Sequence, residues 1–292
     1  VTGSRYLLVH RTEYSYDDEV TTSYGRAHLV PRDVDGQRCV NNAIDTEPVA
    51  AEKRAHVDFF GNRSTYFVVT EPHRSLLVTA TSTVLVDRQP VDQARLDGLS
   101  WERARDALDP FDEALGFTLP SPLVDLVPAV ARYAAAVFTP DRPLGAALVD
   151  LLARISSDFE YRTGTTTVRT TLPEVLAKRS GVCQDFAHLT VGCLRSVGLA
   201  ARYVSGYLET SPPPGEPKLL GADASHAWVS VLVPGVGWVD LDPTNNQFVD
   251  DRYVVAAYGR DYTDVPPLKG VIVTDAKHST LRVSVDLSRV DH

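Results

Sequence analysis

Ser180-Gly181-Val182-Cys183-Gln184-Asp185-Phe186-Ala187-His188-Leu189-Thr190-Val191-Gly192-Cys193-Leu194-Arg195-Ser196-Val197-Gly198 reads as one helix with a thiol at its first turn. Phe186, Leu189, Cys193, Leu194 and Val197 recur at helical spacing, with Thr190 the one polar residue on that stripe. Gly198 suits the left-handed position that ends a helix, and Ser180 and Gly181 stand where N-cap and turn residues belong. Cys183, three residues before Phe186, shares the inward stripe but lies in the first turn. Unpaired backbone N–H groups and the helix dipole favour a thiolate there, the nucleophilic form, and could stabilise an oxyanion formed beside it. A free cysteine also serves as a small buried hydrophobe, so the helix alone leaves both readings open. Cys193, in mid-stripe, reads as core; Cys39, in a polar stretch, receives no role.

After the helix the period changes to two. Arg202 to Leu208, His226 to Val233 and Trp238 to Asp242 read as strands, the last two a hairpin across Pro234-Gly235-Val236-Gly237. Ser211-Pro212-Pro213-Pro214-Gly215-Glu216-Pro217 is a loop, expected to be a stiff, exposed flap at the border of a cleft. Before the helix, Ser100 to Leu108, Ser121 to Val137 and Pro143 to Phe159 read as helices, with Pro122 and Pro143 near their first turns. The first ninety residues are β-rich, and Leu76 to Val86 is expected to be buried on both faces. The fold class is therefore α+β: an N-terminal β-rich domain at 1–95, then a core at 96–292 with an antiparallel sheet.

A chain of 292 residues with 43% hydrophobic and 23% charged residues can bury two modest cores. A net charge of −9 argues against nucleic acid or an anionic membrane as the main partner. No stretch approaches the roughly 20 apolar residues that span a bilayer, and no leader pattern opens the chain. Three cysteines are too few for a disulfide framework, which favours a reducing, cytoplasmic setting. Cys183, His188 and Cys193 would splay around their helix, arguing against zinc, and ten helical residues hold the two thiols about 15 Å apart, beyond disulfide reach.

Ser180 to His188 resembles the nucleophile motif of the bacterial transglutaminase-like superfamily. Ser225-His226-Ala227-Trp228-Val229 is similar to its histidine motif, and Trp238-Val239-Asp240-Leu241-Asp242-Pro243-Thr244 to its aspartate motif, all in the family's order. Ala201 to Tyr207 is similar to the strand that follows the nucleophile helix. Tyr14-Ser15-Tyr16 and His28-Leu29-Val30-Pro31-Arg32 resemble the β domain that precedes the core in many members. The resemblance implies a papain-like core and a catalytic triad of Cys183, His226 and Asp242. It implies a peptide or protein amide substrate, an acyl-enzyme released to water or to an amine, and no cofactor or metal.

For Asp242 to share the His226 face, the hairpin needs an odd-numbered loop, expected to be three residues with a glycine in the left-handed region, or a bulge. His188 points about 140° away from Cys183 and reads as structural. Asp185 reads as a cap, and Asp240 is the local competitor of Asp242. Trp228 could shield the imidazole or be plain core, and the Tyr161 and Tyr203 hydroxyls are candidates to supplement an oxyanion hole. Asp250-Asp251 and Arg260 to Asp264 lack the pattern of a calcium loop. The intact Cys-His-Asp set favours an active amidase or peptidase over a catalytically silent binding scaffold. The modest aromatic supply near the motifs favours hydrolysis over transamidation.

Overall fold

A computed structural model describes residues 3–109, 113–210 and 224–290. The chain begins with five strands, β1 (Ser4–Ala27), β2 (Gln37–Glu47), β3 (Glu52–Val57), β4 (Arg63–Val69) and β5 (His73–Val86). A helical stretch follows: α1 (Gln93–Leu96), α2 (Trp101–Asp106), a 3-10 turn at Glu113–Thr118, α3 (Pro128–Ala135) and α4 (Leu144–Asp158). Next come β6 (Glu160–Tyr161), α5 (Leu172–Lys178), β7 (Ser180–Gly181) and α6 (Cys183–Ser196). The chain then continues through β8 (Ala201–Leu208), β9 (Ala224–Val233), β10 (Gly237–Asp242), β11 (Gln247–Phe248), β12 (Tyr253–Gly259), β13 (Leu268–Thr274) and β14 (Ser279–Arg289). Among the described residues, no helix is long and apolar enough to cross a membrane.

The first sheet is organised by β1, whose first half pairs with β5 and β14 and whose second half pairs with β4 and β13, all antiparallel. The register shifts between Ser15 and Val20, where β1 runs on unbroken while its partners change from β5 and β14 to β4 and β13. The C-terminal strands therefore belong to the N-terminal sheet: Tyr6 pairs with Arg289 and Ala27 with Leu268. A division into 1–95 and 96–292 does not separate the sheets, because residues 268–289 cross back. Their side chains repay the crossing, since Val285 and Leu287 complete an apolar cluster with Tyr6, Leu8, Val84 and Val86. That cluster packs on Tyr207, Val254 and Ala256 of the second sheet and joins the two units through one core.

The second sheet is antiparallel in the order β11-β10-β9-β8-β12. One face, with Tyr203, Ala227, Val229 and Val231, packs on α6 through Phe186, Leu189, Cys193 and Leu194. This agrees with the expected α+β core, a Cys-bearing helix on an antiparallel sheet. The β12 edge is closed from the N-terminal unit by two side-chain amides. Gln37 donates to the Val255 carbonyl at 2.9 Å and accepts its N–H at 2.7 Å. Asn62 donates to the Tyr258 carbonyl and accepts its N–H, both at 2.8 Å. Each amide stands in for one residue of a missing neighbour strand, so these buried ladder groups are not orphaned.

Several elements differ from the sequence reading. β5 is not buried on both faces: Leu76, Val78, Ala80, Ser82, Val84 and Val86 are buried, while Thr79, Thr81 and Thr83 on the other face are partly exposed. Helix α3 starts at Pro128 rather than near Pro122, because Ser121 and Val124 close a turn on each other. Helix α5, which the periodicity did not single out, is set by a Thr171–Glu174 capping interaction. Ser211 to Pro217, the expected flap, lies outside the described residues.

Asn62 is fully buried, so Asn62→Ala leaves the Tyr258 N–H and carbonyl without partners. The expected cost is about 1–3 kcal/mol per unsatisfied group, read by urea denaturation. A loss below about 0.5 kcal/mol would remove the amides' assigned part in docking the two units.

Candidate active site

The first turn of α6 is fastened from below its start. Val182, not Ser180, is the N-cap residue; its backbone is extended and its carbonyl accepts the Phe186 N–H at 3.1 Å. Ser180 and Gly181 instead pair in parallel with Glu160 and Tyr161. Asp185 is buried and reaches back to the Val182 N–H at 2.8 Å, while Thr166 donates to the same carboxylate oxygen at 2.7 Å. This is the capping role expected of it. A side chain at position 181 would meet the Asp185 carboxylate at 2.7 Å, so glycine there permits the return bond. The cap fixes Cys183 as the first helical residue, half-buried, with its N–H and that of Gln184 unpaired within the helix. At the far end Gly198, at φ +84°, donates to the Arg195 carbonyl and stops the helix.

The hairpin between β9 and β10 decides what meets Cys183. Gly237 pairs with Val233 and Leu241 with Val229, leaving a three-residue loop of Pro234, Gly235 and Val236 with Gly235 at φ +75°. The odd loop is the one required, and continuing the register places Asp242 across from Trp228, on the His226 side. His226 Nε2 and Asp242 Oδ2 stand 2.8 Å apart. That leaves Nδ1 for the Cys183 thiol, whose hydrogen bond and charge both act on the imidazole.

Asp242 is fully buried and accepts five hydrogen bonds. Tyr253 Oη and Asn245 Nδ2 donate to Oδ2, each at 2.6 Å, beside His226. The Thr244 and Asn245 N–H groups donate to Oδ1 at 2.9 and 3.2 Å. Burial opposes the charge, but the bonds from His226, Tyr253 and Asn245 and the imidazolium hold the carboxyl below its usual range. Burial likewise pulls His226 down, and is outweighed by the Asp242 and Cys183 hydrogen bonds and charges, which push it up to about 10. The imidazole is therefore held as imidazolium against the Asp242 carboxylate.

Trp228 is fully buried and stacks on His226 with ring centres 6.0 Å apart, which keeps water from that face of the imidazole. Its Nε1–H reaches Asp240 at 3.4 Å, so Asp240 serves the tryptophan and does not compete for His226. Gly206, paired across from His226, makes room: a side chain there would meet the Trp228 ring at 2.5 Å and the Val254 carbonyl at 2.2 Å. Tyr203 is buried against His188, and Tyr161 is half-exposed with its ring beside Phe186. Burial raises both phenols, with the charge of Cys183 a further cause for each. His188 is structural: buried and lowered to about 4 by desolvation, it is neutral and its Nε2 accepts the Tyr262 N–H at 3.1 Å. Tyr253, Asn245 and Gly206 were missed in the sequence. Asn245 had a signal in the Asp-Pro-Thr-Asn turn, whereas Tyr253 comes from another strand and had none. Among the described residues no group of three or more His, Cys, Asp or Glu is placed to hold a metal ion.

Residues 6–85 match the bacterial transglutaminase-like N-terminal region, and residues 131–243 match the transglutaminase-like superfamily. An uncharacterized protein of Mycobacterium tuberculosis is 50% identical over 97% of this chain and 92% of its own length. A protein-glutamine gamma-glutamyltransferase of Pseudomonas aeruginosa is 39% identical over 67 residues, which cover 23% of this chain and 10% of that protein. In three dimensions the chain is similar to a candidate cysteine protease of Cytophaga hutchinsonii, with a TM-score of 0.81 at 19% identity, over 100% of this chain and 92% of that one. At that identity the likeness bears on the fold.

The three free cysteines differ sharply in setting. Cys193 is buried and desolvation pushes its thiol up to about 12; burial also raises Cys39, whereas Cys183 is half-buried beside an imidazolium. Iodoacetamide at pH 6 is expected to modify Cys183 first, with mass-mapped rates at least about tenfold above the other two. His226→Ala should erase the difference; equal rates in the wild type would remove the thiol–imidazolium pairing.

Proposed function

Because the chain belongs to the bacterial transglutaminase-like superfamily, we propose that it is a cysteine-nucleophile hydrolase of amide or peptide bonds, with Cys183, His226 and Asp242 as its triad. The observation that carries this reading is the 2.8 Å pairing of His226 Nε2 with a fully buried carboxylate, which leaves the other ring nitrogen for the thiol that helps to raise the imidazole. The Cys183 thiolate attacks the substrate carbonyl carbon, and the oxyanion forms where the unpaired N–H groups of the α6 first turn can donate to it. His226 gives its proton to the leaving amine as the C–N bond breaks, which leaves a thioester on Cys183. Water then loses a proton to His226 and attacks the thioester, releasing acid and restoring the thiolate–imidazolium pair. Asp242 fixes the ring orientation and the charge state throughout. Tyr161 and Tyr203 are the candidates to assist the oxyanion, the exposed Tyr161 also as a wall for substrate.

Hydrolysis is favoured because the nearby aromatics are committed elsewhere. Phe186 is buried against Phe159, and Trp238 holds the Arg202 guanidinium and the edge of Phe117, so neither is free to wall a dry channel for an amine. The local similarity to the Pseudomonas glutamyltransferase supports transamidation as the second reading. Three free thiols suit a reducing compartment and support a cytoplasmic location.

A peptide and amide library scored for acyl-enzyme mass on Cys183 tests the chemistry. The expected result is a trapped thioester, lost in Cys183→Ala together with at least about 10⁴-fold of turnover. No acylation with any amide would leave the silent scaffold. With a substrate in hand, about 10 mM primary amine should leave acid as the main product, since water at about 55 M outcompetes an unbound amine; excess amide product would replace the hydrolase with a transferase.

The pH profile follows from His226, which must be protonated to expel the amine, so kcat/KM falls as pH rises through about 10. Asp242→Asn removes the bond and charge that raise the imidazole, so this alkaline limb should move to lower pH as the rate drops. A limb that stays in place would separate Asp242 from the proton on His226.

A further inference from the structure

The two open sheets are finished differently at their edges. The β12 edge is closed by Gln37 and Asn62, while β13, an edge of the first sheet, pairs with β1 on one side and with no strand on its other side among the described residues. Nor is it guarded at its centre. β3 carries Glu52, Lys53, Arg54 and His56, and β2 carries Arg38, Asp45 and Glu47, charges of the kind that discourage strand addition. β13 reads Leu268-Lys269-Gly270-Val271-Ile272-Val273-Thr274, with charge at one end and Asp275 just past the other. Val271, Ile272 and Val273 are 69%, 37% and 52% exposed.

The register specifies which backbone groups are open. His28 donates its N–H to the Pro267 carbonyl at 2.9 Å, in step with the Ala27–Leu268 pairing. Bonding pairs in an antiparallel ladder recur every second residue, so Lys269, Val271 and Val273 face β1, and Leu268, Gly270, Ile272 and Thr274 turn N–H and C=O outward. Asp58 N–H to the Asn62 carbonyl fixes the same alternation two strands away.

We propose that β13 pairs antiparallel with β13 of a second copy of this chain about a two-fold axis at Ile272. In that register Ile272 exchanges both backbone bonds with the partner's Ile272, and Gly270 does so with the partner's Thr274. All of these are outward-facing residues. Val271 lies opposite the partner's Val273, and the two-fold repeats this, so four exposed valines close on one another. The same axis sets Lys269 opposite the partner's Asp275, twice. Among the described residues neither side chain has an ion pair within its own chain. This charge complementarity at a symmetric spacing selects a second copy over an arbitrary strand. The contact is a small one, so the dimer is reversible and depends on concentration.

Sedimentation velocity of the full chain from about 1 to about 200 μM, a span covering weak to moderate affinities, should show monomer passing to dimer. Lys269→Glu sets like charges opposite each other and should weaken the dimer by at least about tenfold, and K269E with D275K should recover it to within about threefold. Ile272→Pro removes an outward N–H that β1 does not use, and should abolish the dimer while thermal melting by circular dichroism stays near wild type. Monomer at every concentration overturns the proposal. A dimer that Lys269→Glu and Ile272→Pro both leave intact, or one that the charge swap does not recover, overturns it as well.

Discussion

A carboxylate with no exposed surface sets the terms for the site. Asp242 could not remain charged there without donors, and it has five, drawn from the facing strand, the turn that follows it and the next long strand. Loss of one donor would leave the others serving a less stable charge. The carboxylate therefore pins β9 to β10 and Tyr253 of β12 to both, and through His226 fixes where a thiol at the start of α6 must lie. Structural demand and chemical demand coincide in one atom, Oδ2.

The readable parts of the sequence were the local ones. The α6 stripe, its Gly198 stop and the β9–β10 hairpin follow from spacing alone, and the parity of Asp242 against His226 required an odd-numbered loop or a bulge, of which the three-residue loop is present. Even the misreading of β5 was local: Thr79, Thr81 and Thr83 mark the exposed face, but Leu77 and Leu85 flank them and blur the alternation. What stayed hidden depends on contacts far along the chain. Nothing near Tyr253 announces a bond to Asp242, and nothing near Gln37 or Asn62 announces that each will complete a strand some two hundred residues away. The same holds for residues 268–289, whose partner strand opens the chain.

The two units share a working boundary. The amides that close β12 act on Val255 and Tyr258, a few residues from Tyr253, which holds Asp242. The first sheet thus stiffens the outer strand of the second just where the second must keep a charged group dry. This gives the β-rich unit a part in the chemistry without its contributing a reacting atom.

The closure of β1 by β14 also bears on how the protein is made. Tyr6 emerges from the ribosome some 280 residues before its partner Arg289. At about 5–20 residues per second, β1 waits on the order of 15–55 s with one ladder edge open. Its other side is covered early by β4 and β5, so the nascent sheet is held as a half-finished ribbon. Such a ribbon is adhesive, and pairing across most of a chain is slow to find. Biosynthesis of this protein is expected to depend on a holding chaperone for the first sheet, and conditions that slow elongation should lower its soluble yield before they affect its folded stability.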